Sequence, residues 1–266
     1  MTTQIIVAGP RGRMGSEALK MIQEEERFSL VACVDRTVTS ETQEQINRLA
    51  NQEVPLYSDI EKCLQEVNAD VLIDLTVSEP GFIHTKAALQ HQVRAVVGTS
   101  GFSDEQIQEL SALAKEQKTG CIIAPNFALG AVLMMQFAKT AAKYFPDVEV
   151  IEKHHDKKVD APSGTAKKTV ELIQEERKQK EQGHPEEYET YPGARGANID
   201  GIHVHSMRLP GLVAHQEVVF GSTSQLLTIQ HDSFHRESFM EGLKLAVNES
   251  EKYEELVYGL EHVMGL

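Results

Sequence analysis

Gln4-Ile5-Ile6-Val7-Ala8-Gly9-Pro10-Arg11-Gly12-Arg13-Met14-Gly15 decides the reading of this chain: a short apolar strand runs straight into three glycines and then into an amphipathic helix. A dinucleotide site requires that order. Gly9 permits the tight turn, Gly12 lets the backbone approach a pyrophosphate, and Gly15 lets the helix pack closely on the sheet, in a GxxGxxG rather than a GxGxxG spacing. A second apolar stretch, Phe28 to Val34, ends in Asp35, twenty residues past Gly15, where a ribose-binding acid is expected. Arg36 follows at once and can accept a 2′-phosphate while Asp35 holds a free 2′-hydroxyl, and Arg11 and Arg13 lie near the same pocket. NADH and NADPH are both expected to be usable.

Downstream, apolar β runs alternate with helical patterns. An amphipathic segment covers Ile60 to Val67, a strand Val71 to Thr76, a helix Glu79 to about Gln90, and a strand Arg94 to Val97. A helix from Ser103 to Lys115 and a strand from Cys121 to Ala124 follow. The alternation predicts an α/β chain with a Rossmann-type, doubly wound parallel sheet. In such sheets the ligand lies beyond the carboxyl ends of the strands, which places Thr76, Gly98-Thr99-Ser100 and Pro125-Asn126-Phe127 along the cofactor crevice. From composition alone, Gly98 to Gly101 reads equally well as a plain turn. Thr37 to Glu53 is polar and reads as a loop with some helix.

Beyond Asn126 the pattern changes to an apolar helix, Leu129 to Tyr144, and a strand, Val148 to Glu152. Glu171 to Gly196 is highly charged and is expected to form a mobile surface loop once the preceding helix ends. Three alternating strands, Ile202 to Leu209, Ala214 to Gly221 and Gln225 to Asp232, predict a second, α+β domain with an open mixed sheet. Arg236 to Met264 reads as a long helical pattern that returns to the first domain. The expected division is therefore 1–127 with 236–266 for dinucleotide binding, and 128–235 for the second domain.

The chemistry concentrates in Glu152-Lys153-His154-His155-Asp156-Lys157-Lys158-Val159-Asp160-Ala161-Pro162-Ser163-Gly164-Thr165-Ala166. Adjacent histidines with Lys158 four residues after His154 supply proton donors near neutral pH and charge for a carboxylate. Pro162 to Ala166 reads as a capped helix start, whose N–H groups and dipole favour an anion. The competing reading is a solvated basic turn. Consecutive strand residues point to opposite faces, so His154 and His155 can share a ligand only where the strand has turned into a loop.

Composition narrows the function classes. A chain of 266 residues fits two domains, and a net charge of −14 argues against nucleic acid as a partner. Cys33, Cys63 and Cys121 sit in apolar patterns and read as buried thiols of a reducing compartment. No apolar run is long enough to span a bilayer, and the N-terminus reads as a core strand, so a cytoplasmic protein without membrane partners is expected. His203 and His205 would face one way along a strand, but no third ligand is evident and no metal is expected. His215, His231 and His235 read as structural.

The glycine loop ending Gly12-Arg13-Met14-Gly15, the Gly98-Thr99-Ser100-Gly101 turn, Ala124-Pro125-Asn126-Phe127 and, above all, the segment from His154 to Ala166 closely resemble the 4-hydroxy-tetrahydrodipicolinate reductase family, over essentially the whole chain. That resemblance implies a Rossmann domain interrupted by a substrate domain whose open sheet forms a homotetramer. It also implies a small cyclic dicarboxylate as substrate. By motif position it implies His154 as proton donor or acceptor, Lys158 as proton donor, and His155, Gly164 and Thr165 as substrate-carboxylate ligands. Cofactor contacts carry over to Gly9, Pro10, Arg11, Gly12, Arg13 and Met14, to Asp35 and Arg36, to Gly98, Thr99 and Ser100, and to Ala124, Pro125, Asn126 and Phe127. Pro10, Arg11, Asp35 and Ser100 depart from common family residues and bear on cofactor preference. Two rivals stay open on sequence: another nicotinamide-dependent amino-acid or semialdehyde dehydrogenase, and a non-catalytic dinucleotide sensor.

Overall fold

The structure, a computed structural model, describes residues 2–266. The chain divides into two compact units, residues 1–127 with 239–266, and residues 128–238.

In the first unit β1 (Thr3–Ala8) leads through the glycine turn into α1 (Arg13–Glu24), and β2 (Phe28–Val34) lies beside β1. α2 (Ser40–Ala50), β3 (Leu56–Tyr57), α3 (Ile60–Glu66), β4 (Val71–Asp74), α4 (Ser78–Gln90), β5 (Arg94–Val97), α5 (Asp104–Gln117) and β6 (Cys121–Ile123) complete the alternation. These strands order as β6-β5-β4-β1-β2-β3, all parallel. The order reverses between β1 and β4, which makes a switch point there. Ile5 to Ala8, Val71 to Ile73 and Ala95 to Val97 are fully buried, as a parallel sheet covered on both faces demands. Cys33, Cys63 and Cys121 are buried free thiols, and burial raises the pKa of each.

Two stretches differ from the sequence expectation. The polar run after β2 contains a full helix, α2, because Thr39 and Thr42 form a reciprocal capping box and Asn51 closes the helix at φ 48°. The C-terminal stretch is not one long helix. It comprises a helix, Met240–Glu249, a 3-10 turn, Ser250–Lys252, a strand, Leu256–Tyr258, and a short helix, Leu260–Val263. The strand pairs parallel to β6 and becomes the outer strand of the sheet. Ser250 is fully buried and Gly259 takes φ 99°, so the chain turns at both ends of a β-prone Leu-Val-Tyr triplet.

The second unit holds α6 (Leu129–Ala142), β7 (Asp147–His154), α7 (Gly164–Glu176), β8 (Ala197–Ile199), β9 (Ile202–Arg208), β10 (Ala214–Ser222) and β11 (Gln225–Ser233). Its sheet runs β11-β10-β7-β9-β8 and is mixed, with β7 and β9 parallel and the other neighbours antiparallel. Val148, Val150 and Glu152 on β7, Ile202 and Val204 on β9, and Gln216, Val218 and Phe220 on β10 form the buried face. The helices cover that face, with Phe145 against Phe220 and the Gln216 amide donating to the Thr169 hydroxyl. The opposite face, with Glu149, Ile151, His203 and His205, is half-buried.

Residues 178–196 have no helix or strand and are mostly exposed, with hydrogen bonds at the start of the segment. Buried Arg177 donates to the carbonyls of Pro146, Lys180 and Gly201, and the Gln182 amide both donates to and accepts from the Val148 backbone. His203 bonds the Arg195 carbonyl and His205 the Glu149 carboxylate, so each strand histidine has its own protein partner.

Candidate functional site

In the first unit the residues just past β1, β2, β3 and β4 enclose a cleft of about 620 Å³. Gly9, Arg11 and Gly12 line its middle, Asp35, Arg36 and Ser58 one end, and Thr76, Val77 and His84 the other. It lies at the switch point, where an open α/β sheet binds its ligand.

The glycine turn is built for close approach. Gly9 has φ 81°, and a Cβ on Gly15 would lie 2.0 Å from the Gly9 carbonyl oxygen, so only glycine lets α1 rise that close to the turn. Gly12 caps α1 without a side-chain bond, which leaves the start of the helix to an anion. Pro10 is buried in the turn, whereas Arg13 and Arg36 are exposed. Asp35 receives a bidentate pair from Arg11, at 2.9 and 2.6 Å, and the Thr37 N–H at 3.0 Å. Burial acts to raise the Asp35 pKa, but the Arg11 and Thr37 bonds outweigh it and hold the carboxyl below its usual range. A glycine cradle, an uncapped helix start and an ionised acid with arginines beside it fit a nicotinamide dinucleotide.

Of the other expected cofactor residues, Gly98, Thr99 and Ser100 follow β5, and Ala124, Pro125, Asn126 and Phe127 follow β6. They stand at strand ends but are not among the residues lining the cleft. A Cβ on Gly98 would meet Leu75 at 2.7 Å and Phe127 at 2.8 Å, so Gly98 lets these two side chains close against the strand end. The Thr99 hydroxyl turns inward and donates to Asp74.

In the second unit the sequence puts Glu152 on the inward parity of β7, after Val148 and Val150, where a carboxylate needs partners. It has four bonds. Oε1 accepts from the Ser163 N–H at 3.1 Å and from Arg208 at 2.7 Å; Oε2 accepts from Arg208 at 2.8 Å and from His154 Nδ1 at 2.5 Å. Burial acts to raise the Glu152 pKa, yet the bonds from Arg208, Ser206 and His154 hold it below the ordinary value. Glu152 thus ties together the strand end, the cap of α7 and β9. Arg208 also donates to the Asp160 carbonyl at 2.7 Å, anchoring the turn that carries Lys158.

A carboxylate only accepts, so His154 presents its proton from Nδ1 to Glu152 and leaves Nε2 for exchange. Burial lowers the His154 pKa, Glu152 pulls it back up, and the Lys158 charge, close by, pushes it down again. β7 ends at His154 and a turn closed by the Lys158 N–H on the His155 carbonyl follows. The two imidazoles are therefore free of strict strand alternation. Lys158 Nζ bonds Asp160, itself half-exposed, at 2.7 Å. Ser163 caps α7 by accepting the Ala166 N–H, and Gly164 begins the helix with nothing within 4 Å of where a Cβ would stand. The segment brings an imidazole, an ammonium and a helix N-terminus onto one end of the sheet.

Sequence reasoning did not single out Glu152, Arg208, Asp74 or His84. Glu152 and Asp74 had a signal: each is a charge that continues a series of apolar positions, Val148 and Val150 before Glu152 and Val71 to Ile73 before Asp74. Arg208 and His84 reach their carboxylates from 56 and 10 residues away, which no local pattern shows.

Known proteins resemble this chain over nearly its whole length. Residues 3–127 match the family model described as dihydrodipicolinate reductase, N-terminus, and residues 130–264 the one described as dihydrodipicolinate reductase, C-terminus. A 4-hydroxy-tetrahydrodipicolinate reductase of Oceanobacillus iheyensis is 60% identical over 265 residues, covering 99% of this chain and 100% of the relative. That of Geobacillus kaustophilus is 57% identical over 264 residues, covering 99% and 100%. The solved structure of a dipicolinate-bound dihydrodipicolinate reductase from Paenisporosarcina sp. TG-14 superposes with a TM-score of 0.90 at 50% identity, covering 98% of this chain and 99% of that one.

Proposed function

The chain belongs to the dihydrodipicolinate reductase family, and on that premise we propose that it reduces 4-hydroxy-tetrahydrodipicolinate to tetrahydrodipicolinate with a reduced nicotinamide dinucleotide, in the diaminopimelate route to lysine. The observation that carries the reading is the Glu152–His154–Lys158 arrangement beside the start of α7. The dinucleotide, when bound, supplies the hydride. The first unit serves as its binding domain and the second as the substrate domain.

The residues of the second unit handle charge and protons. His155, Gly164 and Thr165 take the substrate carboxylate at the positive end of α7. Once the 4-hydroxyl of the substrate has left as water and a hydride has entered the conjugated ring, Lys158 delivers the proton that the neighbouring ring carbon needs, with His154 Nε2 exchanging protons beside it. Glu152 holds the tautomer and orientation of His154. An exposed pair such as Lys158–Asp160 contributes only about 0–1 kcal/mol, so a dianionic substrate displaces Asp160 at little cost.

The first unit supports use of both NADH and NADPH. The Asp35 carboxylate suits free ribose hydroxyls, while Arg11 and Arg36 beside it suit a 2′-phosphate. The half-buried face of the second sheet supports a homotetramer in a cytoplasmic enzyme, which sedimentation can check; no helix among the described residues is long and apolar enough to cross a membrane. A steady-state assay with freshly generated substrate and each cofactor tests the main reading. Substrate-dependent oxidation of either cofactor is expected, and none with both would remove it.

A further inference from the structure

Asp74 closes β4 at the switch point and is fully buried, yet its carboxylate lies in an otherwise apolar strand end. Its Oδ1 accepts from the Thr76 N–H at 3.1 Å, the Thr76 hydroxyl at 2.8 Å and the Thr99 hydroxyl at 2.6 Å. Its Oδ2 accepts from His84 Nδ1 at 2.7 Å. One carboxylate therefore fixes the loop after β4, the loop after β5 and a histidine of α4. α4 comes this near because Gly81 has no side chain: a Cβ there would lie 2.9 Å from Thr99 and 3.0 Å from Asp74 Oδ1.

His84 lines the cleft at the end remote from Asp35. The Asp35 end takes the adenosine ribose and the glycine turn the pyrophosphate, which assigns the Thr76–His84 end to the nicotinamide half. Asp74 only accepts, so its bond to the ring selects the tautomer that carries the proton on Nδ1. Nε2 has no protein partner among the described residues and is left as an acceptor. An acceptor pairs with a hydroxyl, not with a phosphate oxygen.

We propose that His84, oriented by Asp74, binds a hydroxyl of the ribose on the nicotinamide side and so anchors that half of the coenzyme. The proposal rests on the reading of the cleft as the dinucleotide site. Titrations of wild type, His84→Phe and His84→Gln with NADH, followed by nucleotide fluorescence, and with ADP-ribose and ADP as competitors test it. For His84→Phe, affinity for NADH and ADP-ribose should fall about tenfold, ~1.4 kcal/mol, with ADP unchanged, because ADP lacks the second ribose. His84→Gln, which keeps an acceptor, should recover much of the loss. Equal binding of all three ligands by wild type and His84→Phe overturns the proposal, as does a loss of ADP affinity matching that for NADH, which would mark a fold defect. Failure of the wild type to bind any of them would instead overturn the reading of the cleft.

Discussion

Glu152→Gln keeps the shape of the side chain while removing its charge and one of its two acceptor atoms. If the amide oxygen takes the Oε1 place, Ser163 and one Arg208 N–H keep their acceptor. The amide NH2 then faces a second Arg208 N–H and His154 Nδ1, where the carboxylate had accepted from both. Removing one partner of a buried ion pair costs about 3–5 kcal/mol, and because Arg208 keeps 19% of its side chain exposed the cost should lie near ~3 kcal/mol. At roughly 2–4 °C per kcal/mol for a protein of this size, melting falls by roughly 6–12 °C. To accept from the amide, His154 must move its proton to Nε2, the wrong tautomer for exchange, and kcat falls by about 10²-fold or more. Burial already lowers the His154 pKa and Glu152 opposes it, so removing the carboxylate carries the imidazole further down. Calorimetry, steady-state kinetics and an NMR titration of the imidazole read the three effects. A variant that melts within about 2 °C of wild type and whose His154 titrates no lower would refute the assignment of Glu152 as the group that holds the site.

Other outcomes follow from the same geometry. Lys158→Ala should lower kcat by ~10²-fold, the usual scale for a lost general acid, and near wild-type turnover would take Lys158 out of the mechanism. Arg11→Ala uncovers the Asp35 carboxylate and should raise KM for NADPH by about tenfold more than for NADH, as a lost charge-assisted bond implies; equal shifts would count against a 2′-phosphate contact. Gly15→Ala drives a methyl into the Gly9 backbone and should abolish measurable NADH binding, so an intact titration would contradict the turn as described. Burial lowers the His231 pKa, so the folded chain binds that proton more weakly than the unfolded one. Its contribution is present above the unfolded value of about 6.5 and is lost as pH falls through the lower folded value. Melting of wild type should therefore drop more between pH 7 and 5 than melting of His231→Gln, and parallel curves would argue otherwise.

The nucleotide half was legible because its signals are local. Gly9, Gly12, Gly15 and Asp35 act through backbone freedom and strand-end position, and both are written in short-range spacing. The capping box of α2 was also local, but it was hidden by a polar composition that resembles a loop. The strand Leu256–Tyr258 was not legible, since what makes it a strand is the free edge of β6, brought to it from more than a hundred residues upstream. His154 and Lys158 were visible as residue types, whereas what positions them was not. Glu152 and Arg208 meet only because β9 pairs parallel to β7, a register that no stretch of sequence contains.

The outermost strand carries a consequence for how the molecule comes into being. A ribosome delivers the whole of residues 128–238 before it delivers Leu256–Tyr258, so the nucleotide-binding half waits, one strand short, while the other half is already complete. Through that interval Cys121-Ile122-Ile123 presents a bare, apolar rim, the kind of template on which nascent chains stick to one another. Shortening the chain by its last dozen residues should accordingly harm coenzyme capture and solubility first, through the exposed edge of β6 rather than through the loss of any site residue.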